Sequence, residues 1–259
     1  MITAAIRSEW VKLRRPTLLV STYAGLAAAA SLFTILLFSQ AGTTGGGLPT
    51  LSQLALPNGL IHGLNRAAVL LGVVAFGIAA SQIASEFSLG TLRQLLVRQP
   101  RRPVFLAGKY LGVVAFLLGA VVFSSVVATG AAFVMAHFRH IPTGAWTSTT
   151  GMADLTRALG DLLLATVGYA TLGMVVGLLF RSSVTAIVVG FAYLIPVETI
   201  VARIVPSSAS WLPGQLFQLV AEGGSAAAGF ARSLILSAVY LAIAAGAATV
   251  VFVRKDVTA

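Results

Sequence analysis

Charge is what this sequence has least of. Of 259 residues, 17 are Lys or Arg and 7 are Asp or Glu, 9% in all, while 58% are hydrophobic and the mean hydropathy is +0.95. A soluble domain carries about 25% charged residues. A water-soluble fold of this length could bury a large core, but 24 charges (17 plus 7) cannot clothe it. The shortage makes lipid the solvent. Cysteine is absent altogether, which excludes disulfides and thiol chemistry. Lysine occurs three times, at Lys12, Lys109 and Lys255, and none lies in a Gly-x4-Gly-Lys-Ser/Thr phosphate loop. "LAGKY" around Lys109 lacks both the first glycine and the hydroxyl. A His-Glu-x-x-His motif, a Gly-x-Ser-x-Gly elbow and a paired-carboxylate arrangement are missing too. The chain is therefore expected to be no enzyme and to hold no metal or cofactor of its own. His137 and His140 flank Arg139 without an acidic or thiol neighbour, which is weak support for a metal, and His62 stands alone.

What the sequence does have is long apolar runs. A spanning helix needs roughly 20 apolar residues to cross a hydrocarbon core of about 30 Å. Six windows qualify, at about 18–38, 67–84, 110–135, 162–180, 184–204 and 234–253. Long unalternating runs of Ala, Leu, Val and Gly are unlike barrel strands, and lipid leaves no other way to satisfy the backbone. The expectation is an all-α integral membrane protein of six transmembrane helices, with no soluble appendage. Gly and Ala inside "VLLGVVAFGIAAS" and "YATLGMVVGLLF" let helix backbones approach closely, as a compact bundle needs. The first run follows a basic N-terminus as in a signal peptide, but its length and the five runs after it argue for a retained helix.

A net charge of +10 would suggest nucleic acid in a soluble protein. Here its distribution reports topology. With the N-terminus inside, the inner segments hold Arg7, Lys12, Arg14, Arg15, Arg93, Arg98, Arg101, Arg102, Lys109, Arg181, Arg254 and Lys255. The outer segments and span ends hold Arg66, Arg139, Arg157, Arg203 and Arg232, so the division is 12 to 5. The positive-inside rule then puts both termini in the cytoplasm. No nucleic-acid-binding signature accompanies the charge, so nucleic acid is not an expected partner.

The opening "MITAAIRSEWVKLRRPT", residues 1–17, places Ile6, Trp10 and Leu13 on one helical face, with Arg7, Lys12 and Arg14 mostly elsewhere. A basic amphipathic helix bearing Trp suits the membrane interface, and Pro16 ends it. Gly and Pro punctuate the outer loop at 39–66. The outer segment at about 205–229, with Trp211, Phe217 and two prolines, reads as a short re-entrant or interfacial piece. Asp161 has Arg157 one helical turn before it, an expected ion pair. Glu198 follows Pro196 within the fifth span. An ionisable residue at that depth is a functional candidate, and it equally suits a chain already rising to the surface beside Arg203.

The segment "SEFSLGTLRQLLVRQPRRPVFLAGK", residues 85–109, carries five of the 17 basic residues between two spans. At 100° per residue Leu89, Leu92, Leu95 and Leu96 share one arc, while Glu86, Thr91, Arg93, Gln94 and Arg98 take the other. Residues 86–99 are expected to form an amphipathic helix along the inner membrane face, with Glu86 near its favourable N-terminal end. A solvated loop needs no leucine stripe. A docking surface for a cytoplasmic partner does.

This stretch resembles the region after the second span in permease subunits of ABC-2 type transporters. Glu86, Gly90, Thr91, Arg93, Pro100, Arg101, Arg102 and Lys109 carry the likeness. "IRSEWVKLRR" is similar to that family's N-terminal interfacial helix, through Arg7, Glu9, Trp10 and Lys12. Residues 169–198, "YATLGMVVGLLFRSSVTAIVVGFAYLIPVE", are similar to its actinobacterial branch.

The resemblance implies a bacterial plasma-membrane exporter subunit that pairs with a second permease copy, identical or not. A separate cytoplasmic ATPase would hold ATP and Mg. The helix at 86–99 would be the coupling helix seated on that ATPase, with Glu86, Phe87, Gly90, Thr91, Arg93, Arg101 and Arg102 as coupling residues. The spans, apolar and rich in small residues, suit an apolar or amphipathic cargo such as a drug, a peptide antibiotic or a lipid. Two other readings stay open: a proton-coupled secondary transporter using Glu198 and Asp161, and a membrane anchor or regulator that transports nothing.

Overall fold

A computed structural model describes residues 9–42, 48–91, 102–225 and 229–254. Residues 9–13 are helical, and a turn at Arg14 leads into α1 (Pro16–Gln40), whose proline sits in the first turn where no amide donor is missed. The chain continues through α2 (Leu51–Leu54), a 3-10 turn at Pro57–Leu60, α3 (Ile61–Ser88), α4 (Arg102–Phe138) and α5 (Thr149–Phe180). It ends with α6 (Ser183–Ala192), α7 (Glu198–Ile204), α8 (Pro213–Ala221) and α9 (Phe230–Arg254). No strand occurs among the described residues.

Among the described residues six segments are long and apolar enough to cross a membrane: Pro16–Gln40, Pro57–Ser88, Pro103–Phe138, Thr149–Phe180, Ser183–Ile204 and Phe230–Val250. This is a multi-pass membrane protein, and each apolar window of the sequence falls on one of these segments. The second and fourth, short by hydropathy, prove to be among the longest. Their first turns carry polar groups (Asn58, His62, Asn65 and Arg66 in one, Asp154 and Arg157 in the other) that a hydropathy window trims away. At 1.5 Å per residue the 28 residues of α3 reach about 42 Å, so the helix outlasts a core of about 30 Å.

α3 and α5 form the centre. In their apolar windows 67% and 61% of residues are buried, against 28%, 22% and 17% in the first, fifth and sixth segments, which leave most of their surface to lipid. The central contact depends on two glycines one turn apart. A Cβ at Gly173 would run into the carbonyl oxygen of Phe76, and one at Gly177 into that of Ala80. Backbone meets backbone there, the packing that small-xxx-small spacing permits. Phe76, Ala79, Ala80, Ile83, Tyr169 and Met174 fill the surrounding core.

Pro196 does not break the fifth span. A π-helical turn at Tyr193–Val197 absorbs it, and the helix resumes at Glu198. Between the fifth and sixth of these segments, α8 buries Leu216, Phe217 and Val220. At the far end from residues 9–13, fully buried Trp146 donates its indole N–H to the Leu54 carbonyl at 2.8 Å and meets Phe38 and Phe133 edge-on. That staple ties the loops between spans to the bundle. Phe252 near the end of α9 packs edge-to-face on Phe87 at 6.3 Å, so the last helix finishes at the same end of the bundle as residues 9–13.

Candidate functional site

Two of the three lysines and two of the seven carboxylates meet in one place. Lys12 Nζ lies 3.0 Å from Glu9 Oε1 and 3.0 Å from Glu86 Oε1. Lys109 Nζ lies 2.9 Å from Glu9 Oε2 and 3.0 Å from Glu86 Oε1. The four side chains close an alternating ring, Lys12–Glu9–Lys109–Glu86, with no net charge. Glu9, Glu86 and Lys109 are buried, Lys109 to 1% exposure, and Lys12 is half-buried. Taking such charges from water costs several kcal/mol per ion, and it is tolerated when each has opposite neighbours at hydrogen-bond distance. Here every member has two.

Three parts of the chain supply the ring. Glu9 and Lys12 lie three residues apart on one face of the 9–13 helix, and Leu13 plugs the same helix into the core with no exposed surface. Lys109 lies two turns into α4. One turn further, a Cβ at Gly112 would come within 3.1 Å of the Glu9 Cβ, so the bare glycine lets the segment lie flat against α4. Glu86 comes from α3. For the Lys12 ammonium, burial alone lowers the pKa, but the carboxylates of Glu86 and Glu9 outweigh it and hold the group above its ordinary 10.5.

The placement of Glu86 corrects the sequence reading. The expected helix over 86–99 does not begin there. α3 continues to Ser88, Leu89 closes it, and Gly90 at φ +65° turns the chain, a conformation glycine takes without strain. Glu86 thus occupies the last turn of a spanning helix, where the helix dipole disfavours a carboxylate. The ammonium groups of Lys12 and Lys109 reverse that penalty. Across the turn, the Thr91 hydroxyl donates to Glu86 Oε2.

The other coupling candidates divide. Phe87 lies under the Arg181 guanidinium, 5.4 Å from ring centre, and against Phe252. Arg102 opens α4. Arg7, Arg93, Arg101 and the leucine stripe at 92–96 lie outside the described residues. Trp10 is 38% exposed. Sequence reasoning matched Lys109 to a motif and missed its burial. The signal was available: a lysine with apolar residues before and after it inside a spanning helix needs a buried partner.

Glu198 belongs to a second arrangement. Fully buried, it accepts from the Gly214 N–H at 3.1 Å and the Gln215 N–H at 2.9 Å, so it caps the start of α8 from a distance in sequence. The Tyr169 hydroxyl donates to the Gly214 carbonyl at 3.1 Å, fixing the same corner to α5. Asp161 is buried elsewhere on α5, close enough to Arg157 to feel its charge. Among the described residues no group of three His, Asp or Glu could hold a metal. The charged ring offers no nucleophile and no open coordination position. What it can do is mechanical: it locks the 9–13 helix, the end of α3 and the start of α4 into one unit.

Comparison with curated proteins finds no match. A family model described as "Protein of unknown function (DUF2705)" matches residues 21–258, nearly the whole chain. The chain belongs to that family.

Proposed function

We propose that this chain is the permease subunit of an ATP-driven exporter of the ABC-2 type, working as a dimer in a bacterial plasma membrane with both termini cytoplasmic. The observation that carries this reading is the ring. Glu86 and Lys109, which bracket the segment resembling a coupling helix, are joined to Glu9 and Lys12 of the segment resembling an interfacial helix. A cytoplasmic ATPase that binds ATP and Mg would press on residues 92–101. The ring would carry that displacement to the interfacial helix and to α3 and α4 together, biasing a bundle with two packings. The cargo would be an apolar or amphipathic molecule, in keeping with spans that are almost free of charge. Glu198 lends less to a proton-coupled mechanism, because its carboxylate is engaged in capping α8.

The test is purification of the chain from its native membrane in mild detergent, with partners identified by mass spectrometry. The reading expects a cytoplasmic ATPase, one copy per permease, lost when residues 92–99 are scrambled. A folded chain that purifies without an ATPase would overturn it.

A further inference from the structure

A cleft of about 300 Å³ lies between α4, α5 and α9 at the ring end of the bundle, apart from the ring itself. Tyr110 and Leu106 form one wall, Thr171, Met174 and Leu178 the second, and Ala245 and Ala248 of α9 leave the hollow by their small size. The surface is almost wholly apolar. Of the three hydroxyls in it, Tyr110 and Thr171 pair at 2.8 Å, Thr171 also donates back to the Val167 carbonyl and Thr249 donates to the Ala245 carbonyl, so none calls for a polar ligand. From Thr171 to Leu178 the wall runs about 10 Å along the helix, roughly a third of the hydrocarbon core. The cleft opens on a surface of three spanning helices, where lipid chains are the surrounding medium.

Its mouth is basic. Arg181 caps α5 three residues beyond Leu178, exposed, in the left-handed conformation at φ 55°. The Phe87 ring holds its guanidinium at 5.4 Å, and Phe87 in turn touches Phe252, which joins Phe105, Leu106 and Leu178 in one apolar cluster at the cleft's end.

We infer that this cleft is a binding site for an anionic phospholipid, one acyl chain lying between α4, α5 and α9 and the phosphate resting at Arg181. The occupant follows from charge and depth together: an apolar slot of acyl-chain width in the spanning region, ending where a held guanidinium reaches the headgroup level. The site is independent of the exporter reading. It would exist equally in an anchor or a secondary transporter.

The full chain, reconstituted with equal amounts of palmitoyl-oleoyl phosphatidylglycerol and phosphatidylcholine and released from detergent in a native mass spectrometer, tests this. The wild-type chain should retain one phosphatidylglycerol, favoured about fivefold over phosphatidylcholine, the factor expected from one basic side chain near an anionic headgroup. Arg181→Asn keeps a residue that tolerates the left-handed backbone and should retain both lipids equally, with unchanged thermal unfolding. Ala248→Phe fills the slot and should retain neither. The inference fails if the wild-type chain shows no retained lipid or no preference, or if Arg181→Asn keeps the preference. It fails too if Ala248→Phe binds as before, or if a lipid-free dimer shows that a second copy covers the cleft.

Discussion

Lys109 and Glu9, 100 residues apart in the chain, meet at 2.9 Å with almost no solvent contact on either side chain. The pair fixes a short leading helix to the third span, and Glu86 and Lys12 complete its neutrality. Its energetics are asymmetric. Removing one member leaves a buried charge without its full complement, at a cost of about 3–5 kcal/mol, whereas removing all four charges in similar volume costs far less.

Lys109→Met should therefore lower the thermal midpoint in detergent sharply. The quadruple variant Glu9→Gln, Lys12→Met, Glu86→Gln, Lys109→Met should recover most of the loss. Unfolding curves of the two, side by side, decide it. A quadruple variant less stable than the single one would mean that the ring contributes net stability.

The raised pKa of Lys12 gives the ring an alkaline limit. A group raised on folding adds stability that is complete below its ordinary value of 10.5 and is lost as pH climbs through the higher folded value. The chain has no native cysteine, so Val11→Cys, at a site 67% exposed, takes a single environment-sensitive dye. Emission should stay constant up to pH 10.5 and change above it. In a Lys12→Met background that step should vanish.

The α3–α5 contact should be intolerant of a single methyl. Gly173→Ala and Gly177→Ala force two backbones apart and should each cost about 1–3 kcal/mol. Gly130→Ala and Gly160→Ala face open space and should instead stabilise by up to about 1 kcal/mol through helix propensity. Equal melting shifts for the two sets would contradict the close approach.

At Glu198, Gln can still offer one oxygen to the α8 amides, whereas Leu offers none. Glu198→Gln should keep α8 protected from hydrogen exchange. Glu198→Leu should expose it, at about 1–3 kcal/mol for stranded buried donors. If the Gln variant unfolded α8 as fully as Leu, the charge itself would be essential there.

Each of the six apolar windows falls on a helix long and apolar enough to cross a membrane, because lipid demands long apolar runs and this sequence has little else. Helix ends were harder to see. α3 and α5 project beyond the apolar region, and polar first turns hide that extension. Gly90 was noticed for its place in a motif, yet the turn it makes at positive φ lets α3 end at Ser88, two residues past Glu86, and reverses which helix end the carboxylate occupies. The ring members were visible one by one, but their meeting was not. Nothing local in "SEW", "ASEF" or "AGKY" announces a contact across 74 or 100 positions. Pro196 sits inside the fifth window without ending the helix, because a π turn accommodates it.

The ring also says where this protein should not be cut. Shortening the chain to Pro16, the natural first residue for anyone trimming to the opening spanning helix, discards Glu9, Lys12 and the Leu13 plug together. Glu86 and Lys109 would stay behind as a lone couple, and the core would lose Leu13, one of its fully buried members. Tags and fusions placed ahead of residue 9 carry the same hazard if they pull the leading helix off α4, so a reporter belongs beyond Arg254 instead.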